Sequence, residues 1–281
     1  MSEASPAWIT GGNGLIGHQL VKLTSTRFAP RPVGREQVDL LDFNAVSALF
    51  RQEPPGLLIH CAALSQFITC ETNPALAKKA NVEMTRHLLD LARDIPFIFF
   101  STDLVFDGSK GNYVEQDSPR PLSVYAQTKA TAEDLVRSHP QHIIVRISLT
   151  GGQSPRGNRG FNEEMKNAWR AGKTINLFTD EYRCPASADV IARAVWELVS
   201  RDARGTFHLC GAERLSRFEI GQFLANKHPH LAPKINATSR SSYQGPPRPP
   251  DTSMNCAKAQ ALLSFELPRF SEWLARDTTG F

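Results

Sequence analysis

The sequence predicts an α/β protein with a doubly wound parallel sheet and a small C-terminal annex. Short apolar segments alternate with helical segments through the first half of the chain, and such alternation with short connections is typical of parallel sheets. The strand-like segments are compact and apolar, which indicates burial on both faces of a sheet. The chain has 281 residues, enough for one large domain with a smaller appendage.

The first half of the chain supplies the main sheet. Strands are expected at 7–10, 31–35, 56–63, 96–102 and 142–148. Helices are expected at 16–25, 43–53, 74–94 and from Tyr125 through residue 139. Each strand is followed by one helix before the next strand begins, and this order predicts parallel pairing.

The pattern of elements changes after about residue 150. A glycine- and arginine-rich loop is expected first, then helices and strands in turn, at 151–160, 161–172, 174–178, 187–202, 205–211 and 216–228. The segment 239–255 is rich in proline, so it cannot form a central strand or a helix interior. We expect a main domain at 1–150 that also includes about 180–205, and an annex at 151–180 and 206–281.

Composition limits the class of protein. Hydrophobic residues make up 41% of the chain and charged residues 21%, as in ordinary globular proteins. The net charge of +4 could favour an anionic small molecule and is weak support for a nucleic-acid surface. Five cysteines without a CxxC pair fit reduced thiols, and the first residues lack a signal-peptide pattern. We expect a cytoplasmic monomer or homodimer with no nucleic-acid or membrane partner.

The segment "TGGNGLIG" (10–17) places Gly11, Gly14 and Gly17 between the first expected strand and the first helix. In that context the three glycines fit a Rossmann-type dinucleotide loop, in which the phosphates lie at the helix N-terminus. Asn13, Leu15 and Ile16 belong to the same loop and are expected to contact the cofactor. An ordinary glycine turn is the alternative.

The residues after the second strand bear on the choice between NAD and NADP. Arg35 stands where an acidic residue would bind the ribose of NAD. Arginine binds phosphate well, so NADPH is the expected cofactor, with NADH possible because Glu36 is adjacent. Asp39, with Leu40 beside it, or Asp42 could lie near the adenine; either aspartate could instead cap the next helix.

Tyr125 and Lys129 lie four residues apart in "YAQTK" (125–129), and this spacing puts both side chains on one helix face. A carbonyl that accepts hydride must also accept a proton. An ammonium group near a phenol lowers the pKa of the phenol, so Lys129 is expected to bring the pKa of Tyr125 toward neutrality and make it a proton donor. The alternative is the exposed first turn of a helix.

Four stretches carry a family resemblance: "TGGNGLIG", "HCAAL" (60–64), "STDLVFDG" (101–108) and "YAQTK". In order and spacing the chain resembles the extended short-chain dehydrogenase/reductase superfamily, and within it the dTDP-4-dehydrorhamnose reductase family. The segments "RCPASADVIARAV", "GTFHLCGAERLSRFEI" and "RPPDTSMNCAKAQALL" extend the resemblance over nearly the whole chain.

The resemblance implies roles for the matching residues. Thr102 would hydrogen-bond the reacting oxygen, Tyr125 would be the general acid, and Lys129 would hold the nicotinamide ribose and support the tyrosine. Cys61, Ala62 and Ala63 match the loop that passes under the cofactor, and Asn81 matches a buried helix asparagine.

The resemblance also implies a substrate site, with departures. Expected substrate-binding residues are Asp103, Val105, Leu149, Arg183 and Arg248, with Arg156 a further basic candidate for an anionic handle such as a diphosphate. Leu64 stands where the family has a tyrosine, Ile68 and Thr69 replace a charged pair, and Leu149 replaces a tryptophan. We therefore expect a more apolar cleft and poor turnover of dTDP-4-dehydrorhamnose.

These features predict an NADPH-dependent reductase of a carbonyl, with a 4-keto-deoxysugar nucleotide as the expected substrate. A second hypothesis is an NADP-binding module similar to the regulatory subunit of methionine adenosyltransferase, which shares the fold. A third is a sugar-nucleotide epimerase or dehydratase, although Leu104 after Asp103 argues against dehydration. The sequence contains no HExxH, CxxC or histidine cluster, so no metal is expected.

Overall fold

A six-stranded parallel sheet forms the centre of the chain, whose computed structural model describes residues 4–23, 25 and 27–277. The strands of the chain are β1 (Ser5–Thr10), β2 (Phe28–Val33), β3 (Leu57–His60), β4 (Phe97–Thr102), β5 (Ile143–Ile147), β6 (Thr150–Gly151), β7 (Thr174–Phe178), β8 (Tyr182–Arg183), β9 (Ala186–Ser187), β10 (Gly205–Leu209), β11 (Leu215–Ser216) and β12 (Lys234–Thr238). The main sheet has the order β2-β1-β3-β4-β5-β10, and each of its pairings is parallel.

Helices cover both faces of this sheet. The helices of the described residues, those of the annex included, are α1 (Leu15–Lys22), α2 (Phe43–Gln52), α3 (Phe67–Thr72), α4 (Pro74–Lys78), α5 (Met84–Leu91), α6 (Val124–Arg137), α7 (Phe161–Arg170), α8 (Ala188–Ser200), α9 (Arg217–Lys227), α10 (Ala257–Gln260) and α11 (Phe270–Arg276). In β1, Ile9 packs with Leu20 of α1 and Ile191 of α8. Its neighbour Trp8 packs on the opposite face with Val46 of α2 and Leu88 of α5. The predicted doubly wound sheet is confirmed.

The strand order reverses at β1, because β2 and β3 lie on opposite sides of it. Ligands of open α/β sheets bind at the carboxyl ends of the strands at such a reversal. The glycine loop after β1 and the loop after β3 meet at this edge, where they flank the expected cofactor site.

The annex packs around its own core. Helices α7, α9 and α11 enclose Met165, Ile220 and Leu274 together with Leu177 of β7. Strands β7 and β12 pair in parallel. This core stands beside the main sheet and supplies the second wall of the site.

Several boundaries differ from the sequence prediction. Strand β10 belongs to the main sheet, so residues 206–209 are not part of the annex as predicted. The segment 64–73 after the paired alanines, for which the sequence predicts neither strand nor helix, contains α3. The predicted helix 74–94 is interrupted by a π-helical turn at Lys79–Glu83. The predicted ranges also include residues 1–3, 24, 26 and 278–281, which lie outside the described residues.

A buried ion pair fixes α6 to the sheet. Arg146 on β5 is 1% exposed and donates from Nε and Nη2 to both carboxylate oxygens of Glu133, at 2.9 and 2.7 Å. Glu133 is fully buried, and Arg137 reaches it from the surface at 3.1 Å. The Arg146–Glu133 ion pair therefore fixes the distance between α6 and the sheet. Lys129 lies one turn before Glu133 on α6, so its position depends on the same ion pair.

Replacement of Arg146 by methionine should destabilise the protein by about 3–5 kcal/mol, because it leaves the buried Glu133 carboxylate without its main partner. Arg137→Met is the matched control, since Arg137 is half exposed and its pair should contribute less than about 1 kcal/mol. Urea unfolding of both variants measures the difference. Equal small losses would show that Glu133 does not depend on Arg146.

Candidate active site

The glycine loop between β1 and α1 leaves no room for side chains. Gly11 has a φ of +67°, and a Cβ there would lie 3.0 Å from the backbone nitrogen of Ala62. A Cβ on Gly17 would lie 2.3 Å from the carbonyl oxygen of Gly11. Gly14 caps α1 and has no side chain to cover the first N–H groups of the helix. This arrangement fits a phosphate group held at the start of α1.

The other expected cofactor residues surround that loop. Asn13 lies beside Gly34, since a Cβ on Gly34 would be 3.5 Å from Asn13 Nδ2. Leu15 and Ile16, both partly exposed, begin α1. Arg35 follows Gly34 at the end of β2 and is exposed. The guanidinium of Arg35 is therefore accessible to a ligand at the carboxyl end of β2.

The two aspartates beyond Arg35 are used locally. Asp42 caps α2 by accepting from the backbone N–H of Ala45 at 3.0 Å, so the helix-cap alternative is confirmed for it. Asp39 accepts from the backbone N–H of Leu41 at 3.0 Å, and Leu40 packs against the main core. These contacts hold the turn between β2 and α2.

The loop after β3 carries Cys61, Ala62 and Ala63. The backbone N–H of Ala62 donates to Thr10 Oγ1 at 3.3 Å, which ties this loop to the end of β1. Burial raises the pKa of the Cys61 thiol above its usual range, so the thiol is neutral. These three residues and the glycine loop flank the expected cofactor site, and Gly11 lies directly against Ala62.

Thr102, Tyr125 and Lys129 converge from two elements. Thr102 ends β4, whereas Tyr125 and Lys129 lie one turn apart on α6. Ser123 caps this helix through Ala126 N–H at 3.2 Å. The phenol of Tyr125 lies near enough to Thr102 for the threonine side chain to lower its pKa. The structure thus brings together the three residues that the sequence assigned to catalysis.

Asn81 supports α6 from the π-helical turn. Its Nδ2 donates to Thr128 Oγ1 at 2.9 Å, and Thr128 in turn donates to the carbonyl oxygen of Tyr125 at 2.7 Å. The same amide makes paired hydrogen bonds with the backbone of Leu64, at 2.8 and 3.0 Å. The buried side chain of Asn81 therefore fixes the distance between the loop after β3 and the turn of α6 that carries Tyr125.

The electrostatics of the tyrosine differ from the sequence expectation. Burial raises the pKa of Tyr125, Asp103 and Cys70 raise it further, and Arg183 and the hydrogen bond from Thr102 oppose them. The expected lowering of this pKa by Lys129 is therefore wrong for the protein alone. The cation that acts on the phenol here is Arg183.

Lys129 is itself strongly desolvated. Burial lowers its pKa to about 7, against the opposing effects of Glu133 and Cys61. Its Nζ lies 3.9 Å from the centroid of the Phe99 ring, and it helps to lower the pKa of the buried His60 to about 3. The buried charge of Lys129 destabilises the folded protein, and a polar ligand bound next to the ammonium would reduce that cost.

A cavity of about 160 Å³ opens beside Tyr125. Its walls come from the loop after β3, the start of α6, β8 and the proline-rich segment, and they are formed by Ser65, Phe67, Leu104, Leu122, Ser123, Tyr125, Glu181, Arg183, Pro247, Arg248 and Pro249. Two of the predicted substrate residues, Arg183 and Arg248, are on these walls. Glu181, Phe67 and Leu104 are wall residues that sequence reasoning missed.

The remaining predicted substrate residues lie elsewhere. Asp103 and Val105 are fully buried behind the cavity, so neither offers a surface to a ligand. Leu149 packs against the annex core, and Arg156 is exposed on the loop before α7. The structure does not bring these four residues to the cavity wall.

The residues expected to make the cleft apolar are also placed differently. Ile68 is 71% exposed on α3, and Thr69 is hydrogen-bonded to Gln66 on the same helix. Leu64 contributes its backbone to Asn81. The apolar surface of the cavity comes instead from Phe67, Leu104 and Leu122.

A second cavity of about 270 Å³ adjoins the first at Arg248. Its wall includes Phe178, Asn176 and Arg217. Among the described residues, Nη1 of Arg217 is buried without a hydrogen-bond partner, and burial lowers the pKa of this arginine to about 10. Sequence reasoning missed Arg217 because "LSRFEI" carries only a helix-capping pattern.

Within residues 4–23, 25 and 27–277, no group of histidine, cysteine or acidic side chains is placed to hold a metal ion. In the same part of the chain no helix is both long and apolar enough to cross a membrane.

The fold and this site define the class of protein: an NAD(P)-dependent oxidoreductase of the extended short-chain dehydrogenase/reductase type. More narrowly, the chain belongs to the RmlD substrate binding domain family, whose model matches residues 7–279.

The chain is similar to relatives along its full length. It is 30% identical over 295 residues to "Probable low-salt glycan biosynthesis reductase Agl14" of Haloferax volcanii, with 98% of each chain covered. It is 29% identical to dTDP-4-dehydrorhamnose reductase of Sinorhizobium fredii, over 94% of this chain and 93% of that one. It is also 27% identical to methionine adenosyltransferase 2 subunit beta of Bos taurus, over 90% and 81% respectively.

Among solved structures, the fold matches dTDP-4-dehydrorhamnose reductase of Bacillus anthracis in complex with NADP. The TM-score is 0.87 at 23% identity, with 97% of this chain and 98% of that chain covered. The similarity confirms the fold.

Replacement of Lys129 by methionine should stabilise the cofactor-free protein by at least about 1 kcal/mol, because it removes a buried charge. The folded pKa of about 7 lies below the ordinary 10.5, so the unfolded chain binds more protons between these values and wild-type stability rises with pH across that window. The gain in the variant should be largest at pH 7 and below, and should vanish toward pH 10.5.

Urea unfolding at pH 6.5 and pH 9.5 without cofactor measures this effect. Lys79→Met is the control, since Lys79 is exposed on the π-helical turn and should show no such pH dependence. A Lys129→Met variant less stable than wild type at pH 6.5 would contradict the proposed desolvation of Lys129.

Proposed function

We propose that the protein is an NADPH-dependent reductase of a ketone on a nucleotide-linked deoxysugar. The observation that carries the proposal is the convergence of Thr102, Tyr125 and Lys129 between a dinucleotide loop and a cavity walled by arginines. Relatives named as reductases along the whole length of the chain support the reaction class.

The residues at the cofactor site fit NADPH. When bound, NADPH would supply the hydride. The glycine loop would hold its phosphates, the loop at Ala62 would pass beneath it, and Arg35 would pair with the extra phosphate of the ribose. Lys129 would regain a polar environment from the second ribose, which explains why a buried lysine is retained at this position. The NADP bound to the Bacillus anthracis relative supports this choice.

Tyr125 would deliver the proton. Its phenol is protonated at neutral pH, because burial raises its pKa, so the group is ready to donate. The oxygen that forms as a carbonyl accepts hydride is far more basic than a phenolate, so the transfer runs downhill. Thr102 lies near Tyr125, and its hydroxyl, which donates to Asp103 in the protein alone, would turn to donate to the same oxygen.

The two adjoining cavities suit a substrate with an apolar sugar portion and an anionic carrier. Phe67, Leu104 and Leu122 would face the sugar next to Tyr125. Arg217, with its unpartnered Nη1, lies beyond Arg248 in the second cavity and would face the carrier. We expect a less hydroxylated sugar than that of dTDP-4-dehydrorhamnose, since Phe67, Leu104 and Leu122 make part of the wall beside Tyr125 apolar.

A second candidate is an NADP-binding regulatory subunit, favoured by the similarity to methionine adenosyltransferase 2 subunit beta. Such a regulatory subunit would bind the cofactor without catalysing a reaction. Its test is the same assay that tests the reductase: NADPH oxidation with a panel of 4-keto-deoxysugar nucleotides. Tight NADPH binding without oxidation on any member would favour the module.

Replacement of Tyr125 by phenylalanine should lower single-turnover NADPH oxidation by roughly 10²–10⁴-fold, the usual contribution of a general acid. NADPH affinity should stay unchanged, because the glycine loop and Lys129 remain. Lys129→Ala should weaken cofactor binding as well as turnover. Wild-type rates in Tyr125→Phe, on whichever ketone proves active, would remove Tyr125 from the chemistry.

Replacement of Arg35 by alanine should abolish a preference for NADPH over NADH. The exposed guanidinium at the end of β2 is the group expected to bind the ribose phosphate. Dissociation constants of both cofactors, measured by fluorescence for wild type and variant, give the ratio. A wild-type ratio near one, or the same ratio in Arg35→Ala, would contradict this assignment.

A further inference from the structure

A buried carboxylate joins the catalytic strand to the annex. Asp103, the residue after Thr102, is fully buried and accepts hydrogen bonds from four side chains. Arg183 donates Nε and Nη2 at 2.6 and 2.5 Å, Ser148 donates at 2.7 Å, Thr252 at 3.0 Å and Thr102 at 3.3 Å. These donors compensate the carboxylate for the hydration that its burial removes.

This geometry changes the role expected of Arg183. The Nε and Nη2 atoms of Arg183 donate hydrogen bonds to Asp103, and its Nη1 lies 3.7 Å from Glu181. Arg248 forms a similar ion pair with Glu181, in which its Nε and Nη2 donate to the two carboxylate oxygens at 2.5 and 2.8 Å. Arg183 therefore has no unmatched charge for the anionic handle of a substrate, although it lies on the cavity wall with Tyr125.

We propose that Asp103 and Arg183 are a positioning pair for the catalytic hydroxyls: Asp103 orients Thr102, and Arg183 offsets the charge of Asp103 next to Tyr125. The proposal rests on the proposed reductase function. Without Arg183, the carboxylate of Asp103 would oppose the negative charge of a tyrosinate, and it would lose the partner that holds it beside Thr102. Each result would impair proton delivery by Tyr125.

The electrostatics agree with this geometry. After burial, Asp103 is the strongest influence that raises the pKa of Tyr125, and Arg183 is the strongest that lowers it. The other titratable or charged groups around the phenol are Cys70 from α3, Lys129 from its own helix, and Glu181 and Arg248 across the cavity. Among these groups, Asp103 and Arg183 are the two in direct contact with each other and next to Thr102.

Two single variants should move the pH dependence of reduction in opposite directions. Reduction needs protonated Tyr125, so activity is lost as pH rises through the pKa of that group. Arg183→Gln should lower the single-turnover rate at pH 7 by roughly tenfold or more and should move this alkaline loss to higher pH. Asp103→Asn, which leaves Arg183 unopposed, should move it to lower pH by about one unit.

The double variant Asp103→Asn/Arg183→Gln removes both charges and should return the alkaline loss toward wild type. Arg183→Lys, which keeps the charge, should recover part of the rate lost in Arg183→Gln. Arg248→Gln is the matched control, since it lies on the same cavity and pairs with another carboxylate. It should raise KM without moving the pH dependence. Purely structural damage by Arg183→Gln would lower the melting temperature and NADPH affinity without shifting the pH profile.

The same charges can be tested without turnover. Titration of carbon-labelled tyrosine by NMR, with Tyr125→Phe to assign the signal, follows the phenol directly. Asp103→Asn should bring its titration to lower pH than in Arg183→Gln. If both variants titrate like wild type, the positioning role is overturned even if the protein reduces ketones. If they shift as expected but wild type oxidises no NADPH with any ketone, the reductase proposal fails and the electrostatic coupling stands. Should Arg183→Gln fail to fold, the Asp103→Asn and double variants decide, since they carry no unpaired carboxylate.

Discussion

The structure depends on one buried carboxylate, Asp103, more than on any single apolar contact. Its partners come from the end of β4, the end of β5, strand β8 and the segment after the proline-rich loop. These segments are up to 149 residues apart in the chain. A charge buried this completely is tolerated only if it is paired and hydrogen-bonded, so the annex cannot shift without leaving the carboxylate unsatisfied. The hydroxyl of Thr102 is thereby fixed by the contact between the two parts of the molecule.

Local patterns allowed the cofactor side of the site to be predicted from the sequence. The glycine loop, the paired alanines and the Tyr125–Lys129 spacing are each set within a few residues, and steric limits at Gly11 and Gly17 fix their conformation. The annex side could not be predicted in the same way. Arg183 and Asp103 meet across 80 residues, and no periodicity in the sequence records that contact. The helix α3 was missed because "FITCET" has no strong helical pattern, and its position is set by contacts such as Glu71 with the start of α6.

Sequence reasoning also missed the sign of the effect on Tyr125, because spacing gives proximity and not desolvation. Lys129 lies one turn from Tyr125, yet its ammonium faces the ring of Phe99 in an apolar layer. Burial then raises the pKa of the phenol and lowers that of the ammonium. Both shifts favour neutral groups in the protein alone. Active sites commonly hold groups at such a cost to stability, and here the cost would fall once a polyhydroxylated cofactor surrounds the lysine.

The charges around the two cavities lead to a related conclusion about the substrate side. Asp103 and Glu181 form ion pairs with Arg183 and Arg248, whereas the buried Nη1 of Arg217 has no hydrogen-bond partner among the described residues. Burial raises the pKa of the nearby Glu164 carboxyl and lowers that of Arg217. An anion beside Arg217 would satisfy this nitrogen and would also attract Arg248, which adjoins both cavities. Any such pull on Arg248 would act on Glu181. Arg183 beside Tyr125 is held instead by two hydrogen bonds to Asp103, so an anion in the annex would draw on Arg217 and Arg248 and leave the Asp103–Arg183 pair in place.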